Sequence, residues 1–137
     1  MQKDPLISII VAAYNVVEYL PEEIESVISI PSWDKYCELI IVNDGATDGT
    51  FFLLDEYKKK INSSRFIVIN QKNACLSAAR NAGLSIAQGV YISFLDGDDF
   101  IVKNSLNCIR YCLEENKPDC LIVDFNYYWD DGGMEAT

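Results

Sequence analysis

Five short, almost unbroken apolar runs punctuate the chain: Leu6 to Ala12, Glu38 to Val42, Phe66 to Ile69, Val90 to Leu95 and Cys120 to Phe125. A strand that is apolar at nearly every position is buried on both faces, which is the mark of a parallel sheet. Between the runs the period changes to that of a helix. Leu20, Ile24, Val27 and Ile28 share one face, Leu54, Tyr57 and Ile61 a second, Ala79, Gly83 and Ile86 a third, and Leu106, Ile109 and Leu113 a fourth. This alternation predicts a doubly wound, mainly parallel α/β sheet, Rossmann-like, with helices on both faces and right-handed crossovers. Thr47 or Asp48 is placed to open the second helix, Ser77 the third and Asn104 the fourth, with Gly89 closing the third. Residues 1–137 read as a single domain without repeat, low-complexity stretch or linker.

In an open α/β sheet, ligands bind beyond the carboxyl ends of the strands, near a switch in strand order. Polar groups gather at three such ends: Ala13, Tyr14 and Asn15; Asn43, Asp44 and Gly45; and Asp96 to Asp99. In the third, three carboxylates surround one glycine, and the repulsion between them calls for a cation. Gly97 frees Asp96 and Asp98 to aim oxygens at one hard ion, and with no His in the chain Mn²⁺ or Mg²⁺ suits them better than zinc. The same residues also make a sound Asx-turn and a cap for the helix after Lys103.

An ionised Asp44 can accept the ring N–H of a pyrimidine while Tyr14 stacks on the base, a pair that prefers uracil. A divalent ion on Asp98, with Asp96 nearby for the ribose or a metal-bound water, would then offset a diphosphate. The competing structural readings are a strand-end aromatic at Tyr14 and a turn at Asn43-Asp44-Gly45.

Composition narrows the classes. The chain has 137 residues, half of them hydrophobic, which is enough for one real core. Its net charge is −10, with 21 acidic residues against 11 basic ones, which excludes nucleic acid as a partner. Five cysteines, odd in number and without a Cys-x-x-Cys pair, suggest neither a disulfide framework nor zinc and fit a reducing cytoplasm. Cys108 and Cys112, one turn apart, read as packing residues. The start has no secretory pattern and no segment is long enough to span a membrane, which leaves peripheral association at the inner face open. VAAYNVVEY holds no glycine-rich dinucleotide fingerprint, and no Walker lysine loop occurs.

Taken in order, ISIIVAAYNVVEYL, ELIIVNDGATDGT and NQKNACLSAARNAGLSIAQGVYISFLDGDD resemble the nucleotide-sugar-binding part of family two glycosyltransferases, inverting enzymes of the GT-A fold. The resemblance covers residues 6 to about 102. It implies that Ala12, Tyr14 and Asp44 contact the nucleoside, that Asp96-Gly97-Asp98 is the metal-binding Asp-x-Asp, and that Arg80 and Asn81 lie beside the sugar nucleotide, where a guanidinium pairs with phosphate. It further implies a UDP-sugar donor, Mn²⁺ or Mg²⁺ as cofactor, and a glycan or lipid-linked acceptor.

Two departures stand out. Asn43 occupies a place where many relatives have an additional aspartate. The general base of the family lies well downstream of the Asp-x-Asp, and Asp130 and Asp131 come too early to supply it. The sequence thus reads as a truncated GT-A domain, a donor-binding half without its acceptor half, able to bind a nucleotide sugar without transferring it. A cut sheet would leave an edge prone to self-association. The alternatives are a Mg²⁺-binding, receiver-like phospho-acceptor, which needs an acidic pair where AAYN stands, and a non-catalytic interaction module whose aspartates serve only as turns and caps.

Overall fold

The computed structural model describes residues 3–129 and 132–136. Asp130 and Asp131 lie outside the described residues. The chain divides into two compact units, Met1–Leu106 and Asn107–Thr137.

The first unit is built on four parallel strands, β1 (Ile7–Ala13), β2 (Cys37–Asp44), β3 (Phe66–Gln71) and β4 (Tyr91–Asp96), in the order β3-β2-β1-β4. Helices α1 (Leu20–Ile28), α2 (Thr50–Lys60) and α3 (Cys75–Ile86) connect them, with a 3₁₀ turn at Trp33–Lys35 before β2. Every residue of β1 and β2 is buried. Because side chains alternate across a strand, both faces of these two are covered, as their unbroken apolar sequence predicts. On one face Ile10, Ala12, Ile40 and Val42 pack with Ala79 of α3. Gly83 lets that helix lie close, since a methyl group there would collide with Ile10.

The strand order reverses between β1 and β4, so the switch point lies at the carboxyl ends of those two strands. At the amino ends, Glu38 ties the sheet together. Its Oε1 accepts Ser8 Oγ–H (2.5 Å) and the Gln88 N–H (2.6 Å), while Arg65 Nη1 stands 3.9 Å from Oε2.

The helix boundaries depart in part from the caps expected of the sequence. Helix α2 begins at Thr50, with Asp48 Oδ1 accepting both its N–H (2.9 Å) and its hydroxyl (2.5 Å), so Asp48 does serve the helix start. Helix α3 starts at Cys75, which puts Ser77 inside it; the Ala74 N–H is taken by Asp44 from the end of β2. Gly89 does not close α3, which ends at Ile86. Its N–H bonds Ser8 Oγ (2.8 Å), and a Cβ there would stand 2.5 Å from the Ser8 nitrogen. Close approach to β1 is its reason. Asn104, left-handed at φ 69°, stands directly before α4 (Ser105–Asn116), as expected.

In the second unit the expected strand Cys120 to Phe125 is absent. That stretch has no regular structure, and Ile122, Val123 and Phe125 are exposed. An apolar run becomes a parallel strand only where neighbours pair its backbone and cover its faces, and the four-stranded sheet does not include it. A short antiparallel hairpin follows, β5 (Asn126–Tyr128) with β6 (Met134–Ala136). All five cysteines are free, and Cys108, expected to pack, is exposed.

Candidate functional site

The carboxyl ends of the four parallel strands are Ala13, Asp44, Gln71 and Asp96, so the topology sets three polar end residues in one row. Beyond β1 and β2 opens a small cleft of about 180 Å³, wide to solvent at its mouth. Ala12, Tyr14, Asp44, Asn73, Leu76 and Ala79 line it, with Ala13 and Cys75. The structure thus brings together the three residues expected at a nucleoside. Small side chains at Ala12 and Ala79 leave the floor open, and Tyr14, 49% exposed, presents its ring at the wall.

Asp44 is 3% exposed yet reaches the cleft. Its Oδ1 accepts Gln71 Nε2–H (2.8 Å) and the Ala74 N–H (2.9 Å). Gly45 follows at φ +72°, and a Cβ on it would meet the Asn73 nitrogen at 2.5 Å, so only glycine allows the turn that brings β2 against the α3 entry. Asn43 has turned to structure: its Nδ2 donates to Asn70 (3.0 Å) and its Oδ1 accepts the Ala46 N–H (3.1 Å). Asn15 braces the facing loop, its Oδ1 accepting the Thr47 N–H at 2.8 Å.

The carboxylate group lies one strand away. Ala12 stands opposite Asp96 in the β1–β4 ladder, so the cleft and the end of β4 adjoin. A backbone turn closes from the Asp99 N–H to the Asp96 carbonyl at 2.9 Å. Gly97 is buried in that turn; a Cβ would lie 2.8 Å from Val16 Cγ2 and 3.1 Å from the Ala12 carbonyl oxygen. Asp98 and Asp99 are exposed. Arg80 Nη2 pairs with Asp96 Oδ1 at 2.6 Å, its guanidinium lying 5.8 Å from the centre of the Phe94 ring. Asn81, next along α3, is exposed.

One group here escaped the sequence reading. Glu23, on α1, is 1% exposed, and neither carboxylate oxygen has a hydrogen-bond partner among the described residues. Burial, then Asp99, Asp98 and Asp96, push its pKa up to about 9. Burial and the same two neighbours, Asp98 and Asp96, raise Asp99 as well. The signal was present: Glu23 falls in phase with Leu20 and Val27 on the buried face of α1. Helix α1 is tied to the carboxylate segment by the Ile101 N–H, which bonds Ser26 Oγ at 3.1 Å.

Burial is the larger cause for both Glu23 and Asp99, with the neighbouring carboxylates adding to it, and the groups gathered here offer oxygen donors. Among the described residues no group of three or more His, Cys, Asp or Glu side chains is arranged to hold a metal. Among those residues at most two carboxylates could share one divalent ion, whose remaining ligands would come from water or phosphate. No described helix is long and apolar enough to cross a membrane.

Known proteins share this frame. Over 124 residues the chain is 39% identical to the uncharacterised glycosyltransferase EpsJ of Bacillus subtilis, covering 90% of this chain and 34% of that one. It is 34% identical over 125 residues to the minor teichoic acid biosynthesis protein GgaB of the same organism, covering 91% of this chain and 14% of GgaB. The chain therefore spans about a third or less of these relatives. The solved structure of S. aureus TarS 1–349 with UDP-GlcNAc superposes with a TM-score of 0.79 at 27% identity, over 93% of this chain and 36% of that one. This is a GT-A fold, as the sequence motifs imply. The model for Glycosyl transferase family 2 matches residues 8–133, and the chain belongs to that family.

Proposed function

We propose that the chain is the donor-binding part of a single GT-A domain and that its donor is a UDP-sugar bound with Mn²⁺ or Mg²⁺. The observation behind this is the Ala12–Asp96 register across the switch point, which sets a base-sized cleft beside a carboxylate pair. The TarS structure with UDP-GlcNAc supports it by likeness. In this reading Tyr14 stacks on the uracil over Ala12, Asp44 accepts its N3–H, and Asp96 meets the ribose or a metal-bound water. Asp98 holds the ion with Asp96 beside it, while Arg80 and Asn81 face the diphosphate and sugar.

A bound Mn²⁺ or Mg²⁺ supplies Lewis-acid charge to the departing diphosphate. Arg80 adds a second positive group to the same oxygens. In the whole enzyme an acceptor hydroxyl attacks the anomeric carbon in line, inverting its configuration as UDP leaves. We assign the general base and the acceptor site to the part of such enzymes that this chain does not span.

The name of GgaB, a minor teichoic acid biosynthesis protein, favours a glycan or lipid-linked acceptor, and we place the reaction in the cytoplasm. Exposed Ile92 and Phe94 on edge strand β4 favour self-association, which a strictly monomeric species in light scattering would contradict. The phospho-acceptor alternative finds no acidic pair at the end of β1, where Ala12 and Ala13 are followed by Tyr14 and Asn15.

Calorimetry with UDP, with and without Mn²⁺, tests the proposal. Metal-dependent binding is expected, and its absence would favour a non-catalytic module.

A further inference from the structure

Among the described residues, the hydrogen bonds to the Asp44 carboxylate all fall on Oδ1, from Gln71 Nε2 (2.8 Å) and the Ala74 N–H (2.9 Å). Gln71 is the last residue of β3 and stands opposite Asp44 in the β2–β3 ladder. Two donors on one oxygen fix the carboxylate plane and leave Oδ2 as the acceptor offered to the cleft that Asp44 lines.

That difference matters for base choice. Uracil presents a single donor, N3–H, and needs one carboxylate oxygen. Cytosine presents a lone pair at N3, which repels a carboxylate oxygen set for the N3–H of uracil, and offers a donor only at its displaced N4 amino group. Guanine presents two adjacent donors, N1–H and the amino group, which bind a carboxylate best through both oxygens at once. A carboxylate with one oxygen already occupied is matched to the first, repels the second and denies the third its second bond.

We infer that Gln71 is a positioning residue that sets base specificity, holding Asp44 Oδ1 out of the cleft so that Oδ2 alone reads a uracil ring. The inference rests on the reading of the cleft as a nucleoside site. Gln71 itself does not line the cleft, so it acts through Asp44.

Binding of UDP, CDP and GDP to the full chain with Mn²⁺ present tests this by calorimetry. The wild type should prefer UDP to both others. Gln71→Met removes the donor at similar volume and should cut the UDP-to-CDP and UDP-to-GDP affinity ratios by about fivefold each, chiefly through weaker UDP binding. Gln71→Glu, which puts an acceptor in the same place, should do the same and answers the question if methionine disturbs the edge strand. Gln71→Lys, which restores a donor, should recover most of the preference, a rescue that a merely structural role would not produce. Unchanged ratios in the Met and Glu variants beside a selective wild type would overturn the role of Gln71 and leave the uracil site standing. A wild type indifferent to the base would overturn the uracil reading itself, and the inference with it.

Discussion

Arg80 Nη2 lies 2.6 Å from Asp96 Oδ1, so two residues each assigned to the nucleotide sugar are paired with each other. Both side chains are partly exposed, and such pairs are worth about 0–1 kcal/mol, a hold that phosphate and metal ligands can outcompete. Arg80 also keeps Nε buried without a hydrogen-bond partner among the described residues.

Arg80→Ala should therefore weaken UDP-sugar binding by about 1.5–3 kcal/mol, the scale of a lost hydrogen bond to a charged group. In the absence of nucleotide it should bind Mn²⁺ more tightly than the wild type, because Asp96 is released. Calorimetry for the first and electron paramagnetic resonance of free Mn²⁺ for the second check this. Equal Mn²⁺ affinity in both proteins would show that the ion pair does not compete.

Asp98→Asn should abolish the metal dependence of nucleotide binding. The side chain is exposed, so stability should change by no more than about 0.5 kcal/mol in urea unfolding. Persisting Mn²⁺-dependent heat would remove Asp98 from the ligand set.

Gly97→Ala should damage the site through packing. The added methyl would meet Val16 Cγ2 at 2.8 Å and the Ala12 carbonyl at 3.1 Å, which forces the carboxylate turn away from β1. A loss of about 1–3 kcal/mol in stability, with weaker nucleotide binding, is expected. Wild-type stability and affinity would mean that the turn has room to spare.

Glu23 makes stability depend on pH. Its folded pKa is pushed from 4.5 up to about 9, by burial first and then by Asp99, Asp98 and Asp96. Between those values the unfolded chain has lost a proton that the folded chain keeps. Stability should therefore fall as pH rises through this window, by at most about 1.4 kcal/mol per unit, and level off above it. Glu23→Gln removes the proton exchange, so its stability relative to wild type should grow from about pH 5 to pH 8 in urea unfolding. A constant difference across that range would contradict the buried-acid assignment.

Much of the fold was legible because β1 to β4 each carry their own local signal. Runs such as Ile7–Ala13 are apolar at nearly every position because both of their faces are buried, although β4 carries a similar run with Ile92 and Phe94 exposed. Cys120 to Phe125 shows the same local pattern without a sheet partner, and pairing is not a local property. The start of α3 was misplaced for a related reason: the group that meets the Ala74 N–H is Asp44, thirty residues upstream, and no window around Ser77 contains it. At the site, Ala12, Tyr14 and Asp44 were legible as strand-end residues and do share one cleft. The Arg80–Asp96 pair and the Gln71 bond to Asp44 were not, since both depend on which strand lies beside which. Glu23 was visible as a carboxylate in phase with an apolar helical face, a conflict between pattern and residue type that marks a group under strain.

The most direct test of the donor-site assignment is a crystal structure of the chain soaked with UDP and Mn²⁺. The predicted result is a manganese anomalous peak at bonding distance from Asp98, with the uracil ring against Tyr14 and its N3–H on Asp44 Oδ2. Manganese missing from Asp98, or a base bound away from Asp44, would contradict it.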